Sequence, residues 1–206
     1  MTSPVTARDR AKAERSDAIL REAARLFSER GYNGVSLEDI GAAVGVSGPA
    51  VYRHFAGKQA LLGAVLVKVS ADLVAGGTAV ATSAATAEER MSALIRFHVE
   101  FALGNADVIR VQDRDVAHLS DADRTEVRRL QRRYIDLWIQ TLDPLLDASP
   151  EELRLRVQAC FGLINSTPHS TRAEARRHAA TATVLTAMAD AALRAAAEYP
   201  RPAHSA

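Results

Sequence analysis

The sequence predicts an all-α protein with about nine helices and no strands. Aromatic residues make up only 5% of its 206 residues, and β-branched residues never alternate with polar ones over a long run. Apolar residues recur instead every three or four positions, which places them on one face of a helix. Glycines, prolines and N-capping residues separate these segments, as they do at helix ends.

Composition excludes several protein classes. The chain has 26 Lys and Arg against 25 Asp and Glu, and 48% hydrophobic residues, which favours a folded protein of one domain or two small ones. The longest apolar run of large residues, Leu61–Val67, is too short to span a bilayer. No apolar signal segment follows the N-terminus, and the single Cys160 excludes an internal disulfide and a Cys-based zinc site. We therefore expect a cytoplasmic protein without a cofactor.

Four helices are predicted in the first 77 residues. The first presents an apolar face and ends at Gly31, because glycine is a common helix stop. Ser36 and Ser47 are predicted N-caps of the next two helices. The fourth runs from about Lys58 to the glycine pair Gly76-Gly77. The apolar face of the first helix consists of Ile19, Ala23, Leu26 and Phe27.

Five longer helices are predicted in the remainder. Thr86 and Ser149 each precede a glutamate by three positions, the spacing of a capping box. Asn105 and Ser120 open two further helices, and Pro144 stops the second of them. The predicted spans are about 87–104, 106–119, 121–143, 150–167 and 171–199.

Two short helices form the most informative pattern. The segments 37–44 and 48–54 are joined by a tight turn at Gly45-Val46, the arrangement of a helix-turn-helix. Gly45 tolerates the positive φ that such a turn requires. The pattern predicts that the second short helix enters the major groove of DNA.

Over residues 12–62 the chain resembles the TetR family of transcriptional regulators. The resemblance rests on Val46-Ser47, the block Val51-Tyr52-Arg53-His54-Phe55, Lys58 and Leu61. It implies a DNA-binding domain at 1–62 with a basic N-terminal arm, and a helical effector-binding and dimerisation domain at 63–206. It also implies a homodimer formed by the last two long helices.

The resemblance implies a set of DNA contacts. Tyr52, His54 and Lys58 match phosphate-binding positions, and Ser36 adds a hydroxyl at a helix N-terminus. Arg53 reaches either a guanine or a phosphate. The residues at the reading edge carry few hydrogen-bond donors, which favours apolar or shape readout over direct hydrogen bonds. These reading-edge residues are Ser47, Gly48, Pro49 and Ala50.

The predicted basic arm precedes the first helix. It contains Arg8, Arg10, Lys12 and Arg15 against only Asp9 and Glu14. Two interpretations remain open: the arm reaches an adjacent DNA groove, or it stays solvated.

A candidate effector pocket comes from aromatic and polar residues at helical spacing. An apolar cavity with a few polar groups is typical of a small-molecule site, although aromatic residues at this spacing also form ordinary cores. The predicted ligand-binding residues are Phe97, His98, Phe101, Tyr134, Trp138, Phe161 and Asn165.

An arginine cluster on the seventh helix has two interpretations. It is either a solvated face balanced by neighbouring carboxylates, or a site for phosphate groups such as those of an acyl-CoA. The stretch 161–170 is similar to one in actinobacterial TetR members linked to lipid metabolism, which favours an acyl-CoA or fatty acid effector. The cluster comprises Arg124, Arg128, Arg129, Arg132 and Arg133.

Taken together, these features predict a homodimeric repressor, not an enzyme, that binds a near-palindromic double-stranded DNA operator and leaves it when a small hydrophobic effector binds. No nucleophile elbow or metal-binding histidine spacing occurs. The expected dimer face lies on 153–167 and 171–199 and includes Leu185 and Met188. Two alternatives remain: a helical small-molecule binding protein that does not bind DNA, and a DNA-binding regulator without an effector.

Overall fold

Every regular element in the described part of the chain is helical. The computed structural model describes residues 6–196. Nine of its helices have five residues or more, and α9 and α10 are single turns, so the predicted all-α class is confirmed. The helices are α1 (Ala7–Arg30), α2 (Leu37–Ala43), α3 (Gly48–Tyr52), α4 (Lys58–Ser83), α5 (Ala87–Gly104), α6 (Ala106–Asp115), α7 (Asp121–Leu142), α8 (Pro150–Asn165), α9 (Thr167–Ser170), α10 (Ala173–Arg176) and α11 (Ala179–Arg194).

Side-chain caps set the starts of five of these eleven helices. Ser36 and Thr86 form the N-caps of α2 and α5 in reciprocal capping boxes with the residues three positions on. Ser120 and Ser149 each accept a hydrogen bond from a backbone N–H in the first turn of α7 and α8. Ser47 is the N-cap of α3, but its side chain makes no capping hydrogen bond. All these N-cap positions agree with the sequence-based prediction.

Helix α1 begins earlier than predicted. A capping box between Thr6 and Asp9 starts it at Ala7, so the basic residues at 8, 10, 12 and 15 belong to the helix and are exposed on it. The prediction of a separate basic arm before the first helix was therefore wrong. The helix starts at this cap, about three turns before its buried face, which begins at Ile19.

Helix α4 continues past the glycine pair at which it was predicted to end. Gly76 and Gly77 lie within the helix, which runs to Ser83. A Cβ at Gly77 would lie 2.6 Å from Cε2 of the Tyr134 ring on α7, and one at Gly76 would clash with the Phe97 ring on α5. These glycines therefore permit close packing of α4 against its neighbours instead of stopping the helix.

The last predicted helix is divided. Instead of one helix from residue 171, the chain forms the single turn α10 and then α11 from Ala179. The Thr181 hydroxyl donates a hydrogen bond to the Ala175 carbonyl (2.7 Å), and the His178 N–H donates to the same oxygen (3.1 Å). The Ala175 carbonyl is thus occupied by groups other than the N–H four residues on, and a continuous helix is interrupted. Tyr199, its predicted end, lies outside the described residues.

Two hydrophobic cores run through the molecule, and three helices take part in both. One core lies under α1–α3 and includes Leu61 and Leu66 of α4, Val111 of α6 and Val127 of α7. The other lies among α4, α5, α7, α8 and α11 and includes Val74 and Trp138. The head formed by α1–α3 is thereby packed directly onto the helical body formed by α5–α11.

By length and composition alone, α4 could also cross a membrane. Half of its most apolar window is buried inside the protein. On its outer surface Lys68 and Asp72 form an exposed ion pair of 3.1 Å. The apolar character that the sequence concentrates at Leu61–Val67 is used for packing in the two cores.

Replacing Gly77 with Ala should lower the free energy of unfolding by about 1–3 kcal/mol, the usual cost of overpacking a buried contact. Because Tyr134 is only 4% exposed, its ring has little room to move away. The clash should outweigh the gain of about 1 kcal/mol in helix propensity. Gly104→Ala is the control, since its Cβ meets nothing within 4 Å. Urea denaturation showing both variants at or above wild-type stability would contradict the packing role.

Candidate DNA-binding and effector-binding sites

The turn between α2 and α3 is held by a close backbone approach. The Val46 N–H donates a hydrogen bond to the Gly41 carbonyl at 2.8 Å. A Cβ at Gly41 would lie 2.8 Å from the Val46 carbonyl oxygen, so only glycine fits there. Gly45 has φ +70°, as the turn was predicted to require. Gly41 was missed by the sequence analysis, although its place four residues before Gly45 is a usable signal.

Helix α3 exposes most of the residues predicted to face DNA. Ser47, Pro49, Tyr52 and Arg53 are exposed, and Tyr52 keeps 55% of its surface accessible. Ala50 and His54 are half-buried. Gly48 is buried beside the Glu38 side chain of α2, so it lies behind the surface that its neighbours form.

Ser36 has its hydroxyl occupied within its own helix. The Oγ donates to Asp39 Oδ2 at 2.7 Å and accepts from the Asp39 N–H at 3.0 Å. The hydrogen bond from Oγ, together with one of 2.8 Å from the Ser36 N–H, holds the pKa of the Asp39 carboxyl below its ordinary value. A phosphate contact from the Ser36 side chain would compete with this capping box.

Lys58 stands at the joint between the head and the body. Its Nζ lies 4.5 Å from the centre of the Tyr32 ring, a cation–π contact. The His118 ring stacks on the Tyr32 ring, with 4.5 Å between the ring centres. The side chain of Gln59 donates to the His118 carbonyl at 3.0 Å. The lysine is thus positioned by residues of both parts of the protein.

Arg114 of α6 forms a second contact between the head and the body. Its guanidinium donates to the carbonyls of Phe27 and Ser28 near the end of α1. It also forms a two-pronged ion pair with Asp115, at 3.1 and 2.9 Å. Asp115 is only 3% exposed, and the pair raises the pKa of Arg114. The head is therefore tied to α6 by hydrogen bonds to backbone as well as by the shared core.

The aromatic residues of the body form one cluster around His98. Its ring centre lies 4.6 Å from that of Phe161 in a stacked arrangement and 5.7 Å from that of Tyr134. The Tyr134 hydroxyl lies 3.3 Å from His98 Nδ1. Trp138 meets Phe161 edge-on at 4.9 Å. The cluster joins α5, α7 and α8.

A cavity of about 150 Å³ lies beside this cluster. It is lined by four of the seven predicted pocket residues: His98, Tyr134, Phe161 and Asn165. Of the other three, Phe97 packs on Gly76, Phe101 lies 6.2 Å from His98 between ring centres, and Trp138 is fully buried in the core. The sequence analysis missed six lining residues on α4, α6 and α7: Ser70, Leu73, Gln112, Leu130, Gln131 and Ile135.

Burial determines the ionisation of the groups around the cavity. Burial lowers the pKa of His98 to about 4, so the ring is neutral at physiological pH. It raises the pKa of the Tyr134 hydroxyl and of the Cys160 thiol. Cys160, fully buried on α8, is therefore an uncharged core residue, as its apolar stripe predicted.

Comparison with known proteins decides the family. The model described as "Bacterial regulatory proteins, tetR family" matches residues 19–65, and "Tetracyclin repressor-like, C-terminal domain" matches residues 84–196, which is more than half of the chain. The chain belongs to the tetR family. It is a DNA-binding transcriptional regulator, and regulators of this family are soluble and bind operator DNA as homodimers.

The individual relatives and solved structures described next share 21–24% sequence identity with this chain. The transcriptional repressor KstR2 of Rhodococcus jostii is 24% identical over 168 residues, covering 81% of this chain and 82% of the relative. The structure of the TetR-family regulator PfmR from Thermus thermophilus superposes with a TM-score of 0.73 at 24% identity, covering 95% and 100% of the two chains. The structure of AibR in complex with isovaleryl coenzyme A and operator DNA gives 0.70 at 21% identity, covering 84% and 97%. These superpositions show a shared fold.

The arginine cluster of this regulator is partly neutralised. Arg124 pairs with Asp121 at 3.4 Å, and Arg129 pairs with Glu126 at 2.7 Å. Arg129, Arg132 and Arg133 also border an open groove of about 450 Å³ beside Thr78 of α4. Within residues 6–196 no group of three His, Cys, Asp or Glu side chains is arranged to hold a metal ion.

Replacing Lys58 with Ala should weaken binding to all DNA sequences alike, because a phosphate contact carries no sequence information. In a dimer, two lost contacts should make the plot of log K against log salt shallower by about 2. Tyr52→Phe removes a neutral hydroxyl and should lower affinity while leaving that slope unchanged. Lys68→Ala, ten residues further along α4, is the control. Fluorescence anisotropy over a salt series checks both variants, and a wild-type slope for Lys58→Ala would remove this lysine from the interface.

Proposed function

We propose that this tetR-family regulator is a cytoplasmic repressor that leaves its operator when a small hydrophobic effector, an acyl-CoA, enters the body. The observation that carries the proposal is the connection between the two sites. Helix α6 supplies Gln112 to the cavity lining and, two residues later, Arg114 to the carbonyls at the end of α1. A ligand that displaces α6 would therefore act on the head.

The DNA contacts follow from the exposed edge of α3. Ser47 and Pro49, with Ala50 beside them, face base edges, whereas Tyr52, His54 and Lys58 contact phosphates. Arg53 is free to reach either. The Ser47 hydroxyl makes no capping hydrogen bond and is therefore the main neutral donor at this edge. Readout by apolar contact and DNA shape is therefore favoured.

The relatives support the direction of control and the effector class. KstR2 is named a repressor, and AibR binds isovaleryl coenzyme A, a branched short-chain thioester. A cavity of about 150 Å³ accommodates a short acyl group and not a long one. The effector we propose is accordingly a short-chain acyl-CoA. The role is binding without catalysis, since the cavity presents a neutral histidine and no activated nucleophile.

Native mass spectrometry of the purified protein, followed by titration of its operator complex with a short-chain acyl-CoA, tests this function. We expect a dimer that binds operator DNA and dissociates from it when the thioester is added. A protein that binds the thioester but no DNA would be a small-molecule binding protein. Retention of DNA at saturating thioester would indicate a regulator without this effector.

The dimer face we propose lies on α8 and α11. Leu155 of α8 is 61% exposed, and Val184 and Met188 of α11 are exposed as well. Ala159 and Gly162 continue the α8 face with small side chains, which allow a partner helix to approach closely. Leu185, which the sequence analysis assigned to the interface, is only 8% exposed and packs in the protomer core. It faces inward because the buried stripe of α11 is Leu185, Ala189 and Leu193.

Met188→Glu should convert the dimer to monomers, because a carboxylate would be buried against the partner without a counter-charge. Val116→Glu is the control, as Val116 is an exposed apolar residue in the α6–α7 connection, outside α8 and α11. Analytical ultracentrifugation at micromolar concentration distinguishes the two states. An intact Met188→Glu dimer would move the interface elsewhere. Leu185→Glu is unsuitable, since it would unfold the protomer core.

A further inference from the structure

The cavity in the body has a neutral lining. Its ten lining residues include no lysine, arginine, aspartate or glutamate. The one titratable group that is ordinarily charged near neutral pH is His98, and its burial keeps it uncharged. A carboxylate transferred into such a site would lose its hydration without gaining a counter-ion, which is strongly unfavourable.

The same lining is not purely apolar. His98 is 98% buried, and its Nε2 has no hydrogen-bond partner among residues 6–196. Asn165 Oδ1 is likewise buried without a partner, and both side chains line the cavity. A buried polar group without a hydrogen-bond partner destabilises the folded protein. These atoms therefore favour a ligand that brings its own hydrogen-bonding group.

The donor and acceptor roles follow from Tyr134. Its hydroxyl lies 3.3 Å from His98 Nδ1. When the hydroxyl donates to Nδ1, the proton of the neutral imidazole resides on Nε2, so that this cavity-lining side chain offers a donor. A carbonyl or hydroxyl oxygen of a ligand complements this donor, and a ligand hydroxyl can also donate to Asn165 Oδ1.

We infer that this cavity selects an uncharged, short ligand segment carrying a carbonyl or hydroxyl oxygen and rejects a free carboxylate. The inference rests on the proposed effector site and narrows its ligand class. It distinguishes an acyl thioester from the corresponding fatty acid, which the sequence analysis left open. A cavity of about 150 Å³ elsewhere holds a benzene ring, so the segment has about six non-hydrogen atoms, as in a pentanoyl group.

Binding can be measured without DNA because the chain has one tryptophan. Trp138 lies 4.9 Å from Phe161 and 5.8 Å from His98 between ring centres, and both of these residues line the cavity. Its fluorescence should therefore report occupancy. The probes are S-pentanoyl-N-acetylcysteamine, which is uncharged, and pentanoate, which has the same acyl skeleton. At pH 7.5 we expect the thioester to bind at least ten times more tightly.

A positive charge added to the cavity lining should shift the preference from the thioester toward the carboxylate. Gln131 is half-buried and lines the cavity, so Gln131→Lys supplies the cation that a carboxylate requires. We expect it to strengthen pentanoate binding at least tenfold relative to the thioester. Gln140→Lys adds the same charge to the same helix outside the cavity and should leave the ratio of affinities unchanged.

His98→Phe tests the polar contact. Phenylalanine preserves the stacking on Phe161 but removes Nε2, and we expect about a tenfold loss of thioester affinity. Near-ultraviolet circular dichroism checks that the aromatic cluster is retained. If that variant is misfolded, the Gln131→Lys comparison still decides the question.

Three results would overturn the inference: equal binding of pentanoate and its thioester, binding of neither probe, or an unchanged preference in Gln131→Lys. None of them depends on DNA. Failure of the proposed function is a separate observation, namely that the dimer does not bind an operator or is not released from it by a thioester that it binds.

Discussion

The close packing of α4 against α7 is the constraint on which the rest of the structure depends. Gly77 removes the side chain that would separate the two helices, and the Tyr134 ring occupies the space at the crossing. From that position the Tyr134 hydroxyl reaches His98 on α5, and the ring lies parallel to Phe161 on α8, with 5.5 Å between centres. One helix contact thus fixes the aromatic cluster, one wall of the cavity and the middle of the long α4. The same helix begins with Lys58 at the predicted DNA surface, so the two sites are built on one continuous element.

Helix α6 provides a second connection between the head and the body. It is buried in both cores and bonded to the backbone of α1, so a shift of α6 would move α1 as well. Val111 is buried in the head core, whereas Ile109, two residues earlier, is buried in the body core. Arg114 is bonded to backbone carbonyls of α1, which cannot move aside as a surface side chain can. One turn before Arg114, Arg110 donates to the Pro168 carbonyl of α9. A ligand changes the balance between conformations only by binding one of them better. A ligand that binds more tightly when α6 is displaced would supply that difference, and α6 contributes Gln112 to the cavity lining.

Local features were predictable from the sequence, and features that depend on helix crossings were not. The N-caps at Ser36 and Thr86 were predicted because the cap and its partner lie three residues apart. Gly76-Gly77 carries the same local signal as a helix stop, and only the neighbouring Tyr134 reveals that it is a packing site. For the cavity, the residues predicted on α5, α7 and α8 include four of the ten lining residues. The polar liners such as Gln131 occupy positions that resemble an ordinary solvated face until the packing of α4 and α6 encloses them.

The arginine cluster and the cavity lie on opposite sides of α7. The sequence had suggested that both belong to one acyl-CoA site, with the arginines binding its phosphates. Leu130, Gln131, Tyr134 and Ile135 face the cavity, whereas the groove is bordered by α7 residues that lie roughly half a turn away around the helix, among them Arg133. On α4 the groove residue Thr78 likewise lies beyond the crossing from the cavity residues. The cavity and the arginine groove are therefore two separate surfaces of α7. Arg124 and Arg129 are paired with carboxylates of their own helix, which favours the solvated interpretation for that part of the cluster.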